Sequence, residues 1–385
     1  MKKAKILIGA NFGDEGKGFM TDYFAHQAMN NREGVLVIKH NGGAQAGHTV
    51  ETGEKRFIFH HVGSGTALNA PTYLAPTFIV NPILYAKEYK ELSAMGYKPV
   101  VYVNEDCAVT TPYEMMLNHA LETHRKGAKH GSCGVGIFET FNREKSFHVA
   151  IKDLKGPKET ILIVNKCYEL ASERAAELGI SDLFNEQITN IDEINQRFCE
   201  DVAFFYSYTK IVDDALPEVY KTIIFEGGQG LQLDQNNMEL FPHLTPSNTG
   251  IKNPADYLCE KGTDREVEAV YITRTYVTKH GAGPLADECR KEDINADMFD
   301  VTNVTNKYQD HLRYAPLNKE CLVRRIKKDF LPFYETFSGR KPMLSIALTH
   351  MNEFDFNINE LGDEFDVIYT SDGRQRDSVA VHRNK

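Results

Sequence analysis

Seven short apolar runs punctuate the chain: Ile6-Leu7-Ile8, Val35 to Ile38, Val100 to Val103, Ile223 to Phe225, Ala269 to Thr273, Leu344 to Leu348 and Val367 to Tyr369. They are too short for helices and do not alternate with polar residues, the pattern of strands covered on both faces in a parallel sheet. Helical stretches fall between them, such as Lys17 to Met29 and Tyr85 to Met95. Strands alternating with helices predict an α/β fold on a mainly parallel central sheet. Most runs lead into polar or glycine-rich turns, and in such folds the loops beyond the strand C-termini form the binding site. The segment from Leu154 to Tyr220 reads as mostly helical with few site-like residues, which predicts a helical insertion over 155–215 within one large domain spanning 1–385.

Composition narrows the setting. With 25% charged and 42% hydrophobic residues the chain is an ordinary globular one, and its net charge of −10 argues against general nucleic-acid binding. A local basic pocket for small anions remains compatible with that charge. The seven cysteines are odd in number and form no CxxC pair, which fits a reducing compartment better than a disulfide framework. The opening MKKAKILIGA is a first strand rather than a signal peptide, and no apolar run approaches membrane length. A cytoplasmic protein with neither membrane nor nucleic-acid partner is expected.

The chemistry sits in the loops. The first reads GANFGDEGKG, from Gly9 to Gly18, between a strand and a helix. Its backbone N–H groups, the positive end of the following helix and Lys17 suit a phosphate, giving the fold a P-loop-NTPase-like character. It is not a GxxxxGK[ST] loop, because Gly18 and Phe19 follow the lysine. Asp14 and Glu15 are more than a phosphate cradle needs; they suggest Mg²⁺ binding, or a base acting on a phosphorylated substrate. The second loop, KHNGGAQAGHTV, places His48 among glycines where an acid or hydrogen-bond donor could meet a phosphate or carbonyl oxygen. His40, His60 and His61 lack that setting and read as packing or surface residues. The third, GSCGVG, has a hydroxyl, a thiol and N–H groups for a phosphate, and Cys133 lacks the adjacent base a nucleophile needs. In the fourth, FEGGQG, Gln229 can both donate and accept, as reading a purine edge requires. The fifth, FPHLTPSNTG, supplies Thr245, Ser247 and Asn248; the sixth is KHGAGPLADE and the seventh THMN, Thr349 to Asn352. Seven such loops describe a large site for two phosphorylated ligands.

Together these motifs resemble those of the adenylosuccinate synthetase family. The family's first loop reads close to QWGDEGKGK and here is NFGDEGKGF; its NAGHT is QAGHT, its FEGAQG is FEGGQG, its YPYVTSSNT is FPHLTPSNT and its GAGPFPTE is GAGPLADE. A terminal STGPDR-like turn has a loose echo in Thr370 to Arg376, so the resemblance runs from about residue 6 to residue 376. It implies a C–N ligase working in two steps. ATP or GTP phosphorylates the C6 oxygen of a 6-oxopurine nucleotide, and the amine of L-aspartate then displaces phosphate. IMP is the favoured substrate, giving adenylosuccinate in purine biosynthesis. By matching, Asp14 would take the N1 proton, His48 would donate toward the phosphoryl group, and Lys17 would offset charge. Mg²⁺ would be held by Asp14 and the Gly47 carbonyl. The triphosphate would meet Gly13, Glu15, Gly16, Lys17, Gly18, Gly47, His48, Thr49, Thr349, Asn352, Ser371 and Gly373. The monophosphate would meet Asp14, Gln45, Ser132, Cys133, Gln229 and Thr245. A homodimer is also implied.

The departures bear on specificity. Where the family has TKLD, with an aspartate reading guanine, this chain has THMN, and Asn352 suits adenine at least as well. The arginine-rich aspartate loop, TTGRxRR, is replaced by VTNVTNKYQDHLR, leaving Thr305, Asn306, Lys307 and Arg313 as carboxylate binders. The arginine that crosses the dimer to the substrate phosphate has no clear match, with Arg143 and Lys145 as candidates. These features resemble a viral branch of the family that makes 2-aminoadenylosuccinate from dGMP and can use ATP, which is the alternative reading. A nucleotide-binding regulator with a dead site is a remote third, opposed by the intact Asp14, Lys17 and His48.

Overall fold

The computed structural model describes residues 1–125, 132–296, 298 and 312–383. Its strands, in chain order, are β1 (Lys3–Gly9), β2 (Val35–Lys39), β3 (His48–Thr52), β4 (Lys55–Phe59), β5 (Thr72–Leu74), β6 (Val101–Asn104), β7 (Lys210–Val212), β8 (Thr222–Gly230), β9 (Glu266–Arg274), β10 (Tyr276–Lys279), β11 (Arg313–Pro316), β12 (Met343–Thr349), β13 (Val367–Ser371) and β14 (Val379–Arg383). Ten of them form one sheet in the order β14-β13-β12-β9-β1-β8-β2-β5-β6-β7. Every neighbouring pair is parallel except β13–β14 at the edge. All seven apolar runs are strands of this sheet, so the α/β expectation holds.

Covering on both faces explains those runs. Along β1, Ala4, Ile6 and Ile8 enter a core shared with Leu258 and with Leu322, Ile326 and Phe330 of the helix Lys319–Thr336. Leu7 points the other way, into a core with Met20, Phe24 and Ala25 of the helix Lys17–Asn30. At about 25 cal/mol per Å² of apolar area removed from water, such two-sided burial is the main force holding the sheet. Residues 157–208 fold as helices Pro157–Glu177, Ser181–Asn185 and Ile191–Tyr208. Their apolar stripes, including Val164, Phe184, Phe198 and Phe205, pack with Leu74, Val101 and Val103 of the sheet. The stretch read as mostly helical also ends in a strand, β7, at the sheet edge.

Other features were also not anticipated. The second loop leads into an antiparallel hairpin, β3–β4, in which His48 pairs with Phe59. Strand β5 has only three residues, too few for a periodicity signal. A second small ribbon, β10–β11, carries Lys279 opposite Arg313.

One half-buried carboxylate ties the helical layer to the sheet. Asp329 accepts the Ile251 N–H at 2.9 Å and the Tyr271 hydroxyl of β9 at 2.7 Å. Replacing it with alanine leaves both donors without a partner, a loss of about 2–5 kcal/mol. Asp329→Asn, which keeps an acceptor oxygen, should lose less than half of that. Urea unfolding followed by circular dichroism measures both; equal losses would show that carboxylate charge, not acceptor geometry, matters there.

Candidate active site

The first loop is the hub of the site. Gly16 precedes the helix Lys17–Asn30 in a left-handed conformation (φ 99°), which a side chain would strain. Thr349 fills the adjacent space, with its Oγ1 donating to the Glu15 carbonyl at 3.0 Å. A Cβ on Gly18 would lie 2.8 Å from the His48 Cβ and 2.9 Å from Ser64 Oγ, so glycine is what lets the second loop close on the first. A Cβ on Gly13 would stand 3.5 Å from Gln229 Cα. Asp14 Oδ2 is 3.0 Å from His280 Nε2 of the sixth loop. Cys133 Sγ of the third loop donates to the Gln45 carbonyl of the second at 3.8 Å. In the fifth loop, the Thr245 N–H donates to the Leu233 carbonyl at 2.9 Å, just beyond β8. The seventh loop reaches the terminal turn, where the Met351 N–H donates to the Ser371 carbonyl at 3.0 Å. Contacts therefore join these segments into one surface, although not all are loops after parallel strands: FEGGQG is the C-terminal part of β8 itself, residues 132–136 lie between the helices Pro112–Arg125 and Ile137–Glu144, and the sixth loop follows β10 of the antiparallel ribbon.

Charge inside this surface is organised around three carboxylates, Glu226, Glu15 and Asp14. Glu226, at the end of the apolar part of β8, is fully buried and lies opposite Lys39 of β2. It accepts from Ser64 N–H at 3.2 Å and from the Ser64 hydroxyl, and it lies 2.8 Å from His48 Nδ1 and 3.5 Å from Lys39 Nζ. Burial alone would raise its carboxyl, but Lys39, His48 and Ser64 outweigh burial and hold it well below the usual range. An ionised carboxylate only accepts, so His48 Nδ1 carries the hydrogen and Nε2 presents a lone pair. That Nε2 is buried without a hydrogen-bond partner among the described residues. Burial, reinforced by the charge of Lys39, pushes the imidazole down to about 4. Glu15 behaves in the opposite way. Its Oε1 accepts the Asn11 N–H at 2.5 Å, its Oε2 has no partner among the described residues, and burial pushes it up to about 7. Burial would also raise Asp14, but His280, Arg274 and Lys17 more than offset it, leaving the carboxyl below its ordinary value. Burial lowers the Lys17 ammonium, against the charges of Glu15 and Asp14.

The remaining sequence-predicted residues divide. Both amide atoms of Gln45 and Oε1 of Gln229 are buried without partners among the described residues, as a site awaiting a polar ligand requires. Ser132 Oγ accepts from Asn118 at 2.9 Å. Gly47 and Gly373 are exposed, Thr49 is half-buried beside His48, and the Ser371 hydroxyl bonds the Gly373 carbonyl at 3.0 Å. Asn352 is exposed beside an open hollow of about 580 Å³ walled by Met351, Asp355, Phe356, Asn357, Ile358, Thr370 and His382. Thr305, Asn306 and Lys307 lie outside the described residues. Arg313 is engaged: its Nε donates to Glu288 at 2.8 Å, and one terminal nitrogen donates to the Gly281 and Gly283 carbonyls at 3.1 and 2.7 Å. Arg143, a candidate for the arginine that crosses the dimer, is engaged within its own chain. It is buried against Glu114 at 2.7 Å and Glu144 at 2.6 Å and also bonds two carbonyls.

Sequence reasoning passed over Glu226, Lys39, Ser64 and His280. A signal existed for two of them, since Lys39 and Glu226 are lone charges closing apolar strands, where burial makes an unpaired charge costly. His40 was read as packing or surface; it is buried, neither ring nitrogen has a partner among the described residues, and burial pushes it down to about 3. Among the described residues no group of three or more His, Cys, Asp or Glu could hold a metal ion, and no helix is long and apolar enough to cross a membrane.

Comparison with known proteins adds to this geometry. The family model described as adenylosuccinate synthetase matches residues 6–311. Curated relatives include the adenylosuccinate synthetase of Syntrophus aciditrophicus, 27% identical over 296 residues, which cover 74% of this chain and 65% of that protein. The enzyme of Nitratidesulfovibrio vulgaris is 29% identical over 293 residues, 74% of this chain and 66% of the relative. The match thus spans just under two thirds of the length of these relatives. Among solved structures, fully ligated adenylosuccinate synthetase from Plasmodium falciparum superposes with a TM-score of 0.69 at 17% identity, covering 99% of this chain and 87% of the other. Cyanophage S-2L succinoaminodeoxyadenylate synthetase, bound to dGMP and dATP as an energy donor, gives 0.64 at 14% identity, covering 100% and 96%. At those identities the likeness is one of fold. The seventh loop and the terminal turn lie beyond the family-model match.

The two neutral histidines make stability depend on pH. Their folded values, about 4 for His48 and about 3 for His40, lie below the unfolded value near 6.5. The unfolded chain therefore binds more protons as pH falls from about 6.5 toward 4 and then 3, so stability should fall across that window. Urea midpoints at several pH values measure the slope. Both His40→Asn and His48→Asn should flatten it relative to the parent; parallel slopes would mean that neither ring is held neutral.

Proposed function

The chain belongs to the adenylosuccinate synthetase family, and from that premise we propose that it joins L-aspartate to C6 of a 6-oxopurine nucleoside monophosphate, driven by hydrolysis of a nucleoside triphosphate. The observation that carries this reading is the His48–Glu226 pair, with an open Nε2, packed against the loop of Asp14 and Lys17. The C6 oxygen is a poor leaving group, so it must be phosphorylated before an amine can displace it. Asp14, kept ionised, takes the N1 proton and so builds charge on that oxygen. His48 is neutral at rest. Its Nε2 takes up a proton against the charge of the bound phosphates and donates toward the phosphoryl group in transit, while Glu226 steadies the imidazolium. Lys17 and the first-loop N–H groups hold the phosphates.

Magnesium fits this arrangement. Hard oxygen donors are present in Asp14, in the orphaned Glu15 Oε2 and in the Gly47 carbonyl, and Mg²⁺ typically takes one or two carboxylates plus substrate phosphates and water. Asp14 and Gly47 would hold it, and it would offset phosphate charge. Gln45, Ser132, Cys133, Gln229 and Thr245 receive the monophosphate. The seventh loop and the Ser371–Gly373 turn receive the base of the triphosphate. Aspartate binds toward residues 305–313, where its carboxylate must compete with Glu288 for Arg313. A homodimer completes the reading.

IMP is the favoured substrate because Asp14 is retained. A second reading, dGMP with ATP giving 2-aminoadenylosuccinate, draws support from the full-length superposition on the cyanophage enzyme. Initial rates of phosphate release with IMP or dGMP, with and without L-aspartate, test both. A regulator with a dead site would bind nucleotide and release no phosphate.

Asp14→Asn keeps the size of the side chain and loses its proton acceptance and charge, so turnover should fall by at least about 10²-fold. Near-normal turnover would remove Asp14 from the mechanism. Donor choice is tested separately. With Asn352 in place of a guanine-reading carboxylate, kcat/KM for ATP should equal or exceed that for GTP, and Asn352→Asp should shift the ratio toward GTP. A parent protein preferring GTP by more than about 100-fold would assign base reading to other residues.

A further inference from the structure

The Asp14 carboxylate is already half committed. His280 Nε2 lies 3.0 Å from Oδ2, while no hydrogen bond falls on Oδ1 among the described residues. The carboxylate can only accept, so Nε2–H is the donor, as it is in either an Nε2-protonated neutral ring or an imidazolium. Asp14 is also held in place. Arg274 Nε donates to its carbonyl at 2.7 Å, and its backbone occupies the left-handed region (φ 58°), where few alternative conformations exist. A carboxylate fixed in this way, with one oxygen shared with His280, presents its other oxygen as the stronger acceptor for an incoming N–H.

Purines differ at that edge. A 6-oxopurine without a substituent at C2 offers a single donor, N1–H. A 2-amino-6-oxopurine offers two parallel donors, N1–H and N2–H, which match both oxygens of a free carboxylate. We propose that His280 is a specificity-determining residue: by sharing one Asp14 oxygen it weakens that oxygen as an acceptor for a second purine donor, and so disfavours purine monophosphates that carry a 2-amino group. To bind both donors of such a base, the site must either share that oxygen between His280 and N2–H or give up the His280 contact. This rests on the reading above, in which Asp14 meets the purine N1. It deepens that reading by naming what separates the two substrate classes.

IMP and GMP differ only in the 2-amino group, which makes them the probes. Calorimetric titration of the full chain with each gives the ratio of the two dissociation constants without requiring turnover. The parent protein should bind IMP at least about tenfold more tightly than GMP. His280→Ala should reduce that preference at least fivefold, to about twofold or less. His280→Gln, whose amide nitrogen can take the place of Nε2, should keep the parent ratio within about twofold. The effect of His280→Ala should vanish in an Asp14→Asn background, because it acts through that carboxylate. Should His280→Ala not fold, His280→Leu keeps bulk and removes the donor. An unchanged ratio in the donor-free variant, with both nucleotides still bound, overturns the role of His280 and leaves the proposed reaction standing. Binding of neither nucleotide by the folded parent overturns the reading of the site and this inference with it.

Discussion

A carboxylate with no exposed surface governs the arrangement of this molecule. Glu226 would cost several kcal/mol to bury alone, and it is ionised only because Lys39, His48 and Ser64 surround it. These partners come from β2, from the start of the β3–β4 hairpin and from the turn at residues 64–68. Satisfying one charge therefore fixes β2 against β8 and sets where the hairpin begins. It also decides which nitrogen of His48 faces the site. Removing Lys39 would leave Glu226 with uncompensated buried charge, and removing His48 or Ser64 would take away hydrogen bonds that keep it ionised, so the cluster behaves as a unit rather than as a sum of pairs.

Around that cluster the local rules of folding are broken where a ligand would go. Asp14 and Gln229 take left-handed backbone conformations that side chains disfavour. Glu15, Gln45, Gln229 and His48 keep buried polar atoms without partners among the described residues. Each lowers stability, and the two-sided core of the sheet offsets the loss. Such conflicts between local preference and global fold are expected at functional sites. Here they gather in the first, second and fourth loops, at the C-terminal ends of β1, β2 and β8.

Much of this was legible in the chain, for physical reasons. Strands covered on both faces must be continuously apolar, so β1, β2, β6, β8, β9, β12 and β13 could be read directly. Strands β5 and β7 are three residues each, and β14 is a mostly exposed edge, so neither length nor periodicity marked them. Glycine loops showed where ligands approach, because glycine is needed wherever backbones meet closely. Long-range pairing was not legible. The contact of Asp14 with His280 joins the ends of two separate strands, and no local pattern announces it. Arg143 looked like a free cation because Glu114, which captures it, lies on the preceding helix Pro112–Arg125.

The central claim is that the C6 oxygen of the purine leaves as phosphate after being phosphorylated. IMP carrying oxygen-18 at C6 tests it directly, with L-aspartate, ATP or GTP and Mg²⁺ supplied and the released phosphate analysed by mass spectrometry. The account predicts one labelled oxygen in each phosphate released and none left on the purine product. Release of unlabelled phosphate, or product that retains the label, would contradict it.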